Sequence, residues 1–175
     1  MWKNIEYVVG DATRPRTDGS RIIAHICNNQ GRWGSGFTAS LSSRWYSPER
    51  LYRQWHKADI YEGAPFRLGE VQFINVGYNP EKLEDRGLWI ANMVAQNGLA
   101  SVANSKPVCY NSLRICLGTL CKKAKDLQAE VIMPKIGTGR GGGKWEEVEP
   151  IIMAELVMNG ITVFVYEFGD VKYGL

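Results

Sequence analysis

The sequence predicts an α/β fold in which a mixed sheet is covered by helices on both faces. Three observations carry that expectation. Short, nearly continuous apolar runs at 7–9, 21–27, 131–133 and 161–166 have the length of buried strands. Helix-spaced apolar positions fall between them, at Leu113, Cys116, Leu117, Leu120, Ala124 and Leu127 and again at Val148, Ile151, Ile152 and Leu156. Polar or glycine-rich sequence follows the strands, at the edge where an open α/β sheet collects its ligands.

Taken in order, Tyr7-Val8-Val9 and Arg21-Ile22-Ile23-Ala24-His25-Ile26-Cys27 read as buried strands. Residues 38–45 suit a short helix, and 48–59 a second, opened by Ser47-Pro48-Glu49 as N-cap, proline and acidic first turn. Leu68-Gly69-Glu70-Val71-Gln72-Phe73-Ile74 alternates and Leu88-Trp89-Ile90-Ala91-Asn92-Met93-Val94 is nearly continuous, so the two are expected to pair as an antiparallel hairpin. Residues 109–127 give the firmest helix, with Lys122, Lys123 and Lys125 near its C-terminal end. Pro150 leaves two options for the last helix: regular helix starting near Glu147 with Trp145 in the preceding turn, or a kink. The run at 161–166 closes the pattern, and 168–175 is expected as a loosely held tail.

Composition narrows the class. With 175 residues, 45% of them hydrophobic and 22% charged, the chain suits one globular domain over 1–175. Cys27, Cys109, Cys116 and Cys121 form no C-x-x-C pair and no zinc-like spacing with histidine, so reduced thiols and no metal site are expected. Met1-Trp2-Lys3-Asn4-Ile5-Glu6 lacks an apolar signal core, and no segment reaches the roughly 18 apolar residues of a membrane span. A cytoplasmic protein without a membrane partner is the expectation. The formal charge of +3 argues for no polyanion groove by itself.

The loops after the strands hold different chemical tools. Gly10-Asp11-Ala12-Thr13 follows the first strand, Asn28-Asn29-Gln30-Gly31-Arg32-Trp33-Gly34-Ser35-Gly36-Phe37 the second, and Ile136-Gly137-Thr138-Gly139-Arg140-Gly141-Gly142-Gly143 the penultimate one. Five glycines in the seven residues 137–143, between a strand and a helix, make a candidate anion cradle. No G-x-x-x-x-G-K-[ST] follows a strand, and Gly137-Thr138-Gly139 lies too late in the chain for a dinucleotide fingerprint.

Gly10-Asp11, His25-Ile26-Cys27-Asn28 with Gly31-Arg32-Trp33-Gly34-Ser35-Gly36, Pro134-Lys135-Ile136-Gly137-Thr138-Gly139 and Trp145-Glu146-Glu147-Val148 stand in the order seen in macro domains. The resemblance covers nearly the whole chain. It is closest to the branch of terminal ADP-ribose glycohydrolases and compact bacterial-type relatives, where Asn92-Met93-Val94-Ala95-Gln96 also has a counterpart. It implies a three-layer α/β/α fold with a mixed, mostly parallel central sheet. It also implies a site for ADP-ribose or an ADP-ribosylated protein or nucleic acid, with no cofactor.

Residue by residue, the resemblance implies that Asp11 accepts a hydrogen bond from the adenine amine, beside Ala12. Gly34, Ser35, Gly36 and Phe37 form one wall of the pyrophosphate site, and Ile136, Gly137, Thr138, Gly139, Arg140 and Gly141 the other. Trp33 covers the ligand, Asn28 lies near the distal ribose, and Tyr166 or Phe168 is placed near adenine by position alone. Relatives with a lysine nucleophile and partner aspartate are not matched: Ala95-Gln96 stands at the lysine position and Gly141 at the aspartate position. Hydrolysis would then rest on water oriented by Asn28, Asn29 and Gln96 and by the substrate's own diphosphate. Phosphate release from ADP-ribose 1″-phosphate and binding without turnover are the alternatives.

Plainer roles compete at several positions. Asp11, Asn28 and Asn29 are turn formers. His25 suits a hydrogen-bonded core position and His56 a solvated helix face. Trp45, Trp55, Trp89 and Trp145 suit the core or its margins. At the level of class, a nucleic-acid-binding module competes, supported by mild basicity and by Arg50, Arg53 and Lys57 along one helix.

Overall fold

A computed structural model describes residues 3–168. Its main sheet has six strands in the order β1-β8-β7-β2-β6-β5, where β1 is Glu6–Val9, β2 Arg21–Asn28, β5 Val71–Asn75, β6 Leu88–Gln96, β7 Glu130–Met133 and β8 Val163–Glu167. Neighbours pair in parallel except β5, which runs antiparallel to β6 as the expected hairpin. Two-residue strands β3 (Ile60–Tyr61) and β4 (Ala64–Pro65) form a separate hairpin.

Alternation along β2 shows how the sheet is covered. Ile22 and Ala24 join a core with Leu113, Leu117 and Leu120 of α3 (Tyr110–Leu127) and Val148, Ile151 and Ile152 of α4 (Trp145–Glu155). Ile23 and Cys27 face the other way, into cores with Leu41 of α1 (Phe37–Ser42) and Tyr52 and Trp55 of α2 (Ser47–Ala58). The result is the three-layer arrangement, with β2 buried on both faces and therefore apolar nearly throughout.

Three local expectations need correction, and one small hairpin goes unread in the sequence. β1 is not a buried strand: it pairs only with β8 at the sheet's edge, leaving Tyr7 45% and Val9 57% exposed. Ser47 is the first residue of α2 rather than its cap; Tyr46 holds the cap position without a side-chain cap bond. α4 begins at Trp145 and contains Pro150, which sits on its exposed side where water can satisfy the carbonyl the proline cannot serve. The β3–β4 hairpin escapes detection because Glu62 (φ 47°) takes with Gly63 (φ 86°) the two positive-φ places usually filled by Asn-Gly. The expected tail from 169 onward lies outside the described residues.

A polar strip crosses the sheet beneath α2. His25, Asn92 and Gln72 are register partners on β2, β6 and β5, and all three are buried. Asn92 Nδ2 donates to Gln72 Oε1 (3.0 Å) and to the Pro48 carbonyl (3.3 Å), and Gln72 Nε2 donates to the Leu51 carbonyl (2.9 Å). The Asn92 amide oxygen is thus left to accept from His25 Nε2, 2.5 Å away. Burial holds the imidazole pKa down at about 4, so the ring is neutral near pH 7. His25 is the hydrogen-bonded core histidine.

Candidate functional site

Because β1, β8, β7, β2 and β6 are parallel neighbours, the segments after them leave one edge of the sheet. β7 and β2 are adjacent, which sets the 29–36 and 134–144 loops side by side. β1, with Asp11, stands three strand spacings from β2, about 14 Å away.

After β2 the chain is held by one amide. A register shift at Cys27/Asn28 turns Asn28 out of the regular ladder opposite Gln96. Asn28 Nδ2 donates to the Arg32 carbonyl (2.7 Å), and its Oδ1 accepts from the N–H groups of Gln30 (2.9 Å) and Arg32 (3.2 Å). Tyr52 donates to the Asn28 carbonyl at 2.6 Å and to Oδ1 at 3.0 Å; burial pushes the phenol pKa up and keeps it a donor. The Asn28 side chain is therefore held by its own loop and by Tyr52 of α2. Trp33 and Phe37 pack edge-on and tilted against His25, with centroids 5.6 and 5.8 Å away. Gly34, Ser35 and Gly36 are exposed between them.

After β7 the chain curls on itself. Gly143 N–H donates to the Gly137 carbonyl (2.8 Å), Gly142 N–H to Gly139 (3.1 Å), and Val108 N–H to Gly141 (3.1 Å). A Cβ on Gly141 would stand 2.8 Å from the Gly137 carbonyl oxygen, so the position expected to match an aspartate in other relatives has no room for a side chain. Gly142, at φ 71°, abuts the Ser105 carbonyl. Thr138 Oγ1 donates to the Lys135 carbonyl (2.8 Å), and Ile136 is buried beneath the loop.

Gly36 and Gly139 behave differently. Neither has positive φ, and a Cβ on either would meet no protein atom within 4 Å. Among the described residues, the N–H groups of 34–37 and of 138–141 make no hydrogen bond with the protein. Two strips of unpaired backbone donors thus leave the sheet side by side, and each contains one glycine, Gly36 and Gly139, that the protein's own packing does not require.

Asp11 Oδ1 accepts from the Thr13 N–H and hydroxyl (both 2.8 Å), which fixes the turn, while Oδ2 has only Arg14 at 3.9 Å. Arg44 donates to the Thr13 carbonyl (2.8 Å) and pairs with buried Asp85 (2.9 Å), anchoring that turn to the α1–α2 corner. Ala12 is buried under it. Tyr166 is 3% exposed and its hydroxyl accepts the Arg16 N–H (3.0 Å), so it supports the turn from within; Phe168 is 59% exposed.

Sequence reasoning passed over the 97–108 segment. It supplies the Ser105 carbonyl against Gly142 and pairs with β6 through Gln96↔Val108. Asn29 joins it to the β2 loop, donating to Asn97 Oδ1 (3.1 Å) and accepting the Gly98 N–H (2.9 Å), while Gln96 Nε2 donates to the Gly98 carbonyl (3.2 Å). The Asn97-Gly98 dipeptide, a strong turn signal just past a strand, was the available clue. No group of three or more His, Cys, Asp or Glu stands together in metal-holding geometry among the described residues, and no described helix is long and apolar enough to cross a membrane.

No protein-family model matches the chain. A solved protein from Bacteroides thetaiotaomicron is 41% identical with a TM-score of 0.82, covering 93% of this chain and 99% of that one. A macrodomain protein from Streptomyces coelicolor is also 41% identical, with a TM-score of 0.77 over 94% of this chain and 99% of that one. Among curated proteins, the ADP-ribose 1″-phosphate phosphatase of Meyerozyma guilliermondii is 25% identical over 172 residues, 91% of this chain and 98% of its own. The chromodomain-helicase-DNA-binding protein 1-like of Mus musculus is 27% identical over 168 residues, but the chain spans only 18% of that protein's length.

Proposed function

The chain belongs to the macrodomain family, and from that premise we propose that it binds ADP-ribose across the carboxyl edge of the sheet and hydrolyses ADP-ribosyl linkages. The observation that carries this reading is the pair Gly36 and Gly139, one in each of two adjacent loops, where neither a positive φ nor a neighbouring protein atom excludes a Cβ. A close-approaching anion accounts for both. The diphosphate lies between the 34–37 and 137–141 segments. Asp11, about 14 Å from β2, receives the adenine amine on Oδ2, so the ligand is elongated rather than a single phosphate.

The chemistry is positional. With Gly141 closed to any side chain, and Ala95-Gln96 standing where a lysine would be needed, no covalent step is assigned. Asn29 and Gln96 orient water toward the anomeric carbon, and Asn28 acts by holding the β2 loop beside them. Amides are poor bases, so the substrate's diphosphate supplies the proton acceptor and turnover is slow. The carrier of the ADP-ribose is a modified protein side chain or nucleic acid.

Calorimetric titration with ADP-ribose tests the binding. Saturable binding that falls at least tenfold with Asp11→Ala is expected, and unchanged affinity would remove the adenine assignment. Release of ADP-ribose from ADP-ribosylated protein and oligonucleotide tests the reaction. A second reading, phosphate release from ADP-ribose 1″-phosphate, is favoured by the near full-length similarity to the yeast phosphatase, and a phosphate assay separates it. Binding without either release would leave a non-catalytic reader.

A further inference from the structure

α2 turns Pro48, Tyr52 and Trp55 inward and carries Arg50, Arg53 and Lys57 on its exposed side. With Tyr46 these cations line a hollow along the helix. A second hollow shares Tyr46 and Arg50 and continues to the turn after β5, where Tyr78, Asn79 and Lys82 form the far side. Sharing two residues, the hollows make one trough.

Its charge is not neutralised from within. Glu49 is taken by Arg53 at 2.9 Å, and Asp85 at the base is buried against Arg44 and Trp45. Among the described residues, Arg50, Lys57 and Lys82 have no carboxylate within ion-pair distance. Glu81 and Glu84 of the neighbouring turn are exposed but stand outside the lining. The trough therefore offers three uncommitted cations to a polyanion.

Two aromatic rings stand among them. Tyr46 is 80% and Tyr78 73% exposed, and the Arg50 guanidinium lies over the Tyr46 ring at 5.9 Å. An acidic peptide would use the cations and leave both rings to water. Single-stranded nucleic acid uses both, with phosphates on the cations and unpaired bases on the rings. The trough also borders the cleft's loops: Arg53 Nη1 donates to the Gly31 carbonyl (3.5 Å) and Arg44 to the Thr13 carbonyl (2.8 Å).

We propose that this trough docks single-stranded nucleic acid without base specificity, Arg50, Lys57 and Lys82 meeting successive phosphates and Tyr46 and Tyr78 stacking bases. The surface is separate from the ADP-ribose cleft and does not depend on that assignment.

Fluorescence anisotropy with labelled 15-residue oligothymidylate and oligouridylate tests it. Both are expected to bind, with log K falling against log salt at a slope of about −2, as three phosphate contacts on a single strand give. Tyr46→Ala and Tyr78→Ala each weaken binding roughly tenfold, and the triple variant Arg50→Ala/Lys57→Ala/Lys82→Ala abolishes it. Melting temperatures of the variants stay at the parent value, which secures the fold whatever the outcome of the ADP-ribose titration. No oligonucleotide binding at 50 mM salt (roughly the low end of the usual range) would overturn the proposal. So would equal affinity for polyglutamate, equal affinity for a duplex of the same length, or binding indifferent to both tyrosine substitutions.

Discussion

The glycine-rich loops after β2 and β7 lie side by side and are held by opposite means. After β2, side chains fix the backbone: Asn28 ties Gln30 and Arg32, Tyr52 holds Asn28, and the neutral ring of His25 supports Trp33 and Phe37. After β7, backbone fixes backbone, through Gly143 to Gly137, Gly142 to Gly139 and Val108 to Gly141. A loop held by side chains is exposed to substitution and protonation beneath it. A loop held by its own backbone is vulnerable chiefly to an added Cβ.

The largest effect should come from breaking the second kind of support. Gly142→Ala imposes a left-handed backbone on alanine and drives its Cβ into the Ser105 carbonyl. We expect about 4 kcal/mol of destabilisation, a fall of roughly 10 °C in melting temperature. A near-parent melting curve would show that the loop relaxes freely.

The β2 side should respond to pH instead. His25 has an ordinary pKa of 6.5 when unfolded and about 4 when folded, so below 6.5 the unfolded chain binds the extra proton. Stability is then full above 6.5 and falls as pH drops toward 4, by about 3 kcal/mol. His25→Gln, which can still donate to Asn92 and cannot titrate, should flatten that part of a urea-denaturation series. A slope unchanged by the substitution would assign the pH dependence elsewhere.

Asn28→Ala removes an amide that serves two N–H groups, one carbonyl and a buried phenol. We expect about 2 kcal/mol of lost stability together with weakened ADP-ribose binding, whereas loss of one without the other would separate the loop's shape from its ligand. The smallest effect on stability should come from the two glycines that neither support requires. Gly139→Ala should change stability by less than about 0.5 kcal/mol and Gly36→Ala, at the N-cap of α1, should cost up to about 1 kcal/mol; each should lower ADP-ribose affinity about tenfold. Unchanged affinity in both would remove the observation on which the proposed function rests.

Much of this was legible beforehand, where the signal is local. α3 follows from six apolar positions at helical spacing, and β2 from a run with no polar break before His25. The β5–β6 hairpin follows from two strand patterns and a turn between them. At the site, the order of Asp11, the 31–37 run and the 136–143 run was readable, as was their common edge once parallel strands were expected. Tyr166 shows where reading stopped. Its place at the end of the last strand was visible, but which face it occupies depends on how β8 packs, and that packing buries it under the Asp11 turn. The 97–108 segment was silent for a related reason, since its contact with Gly142 joins residues far apart in the chain.

The sequence by itself determined the elements, their order and the chemical character of each loop, because periodicity, turn chemistry and charge are properties of neighbouring residues. Only the tertiary structure decided what each glycine is for. Whether a Cβ meets a carbonyl, as at Gly141, or open space, as at Gly36 and Gly139, depends on atoms brought together by folding, and residue type alone carries no record of them.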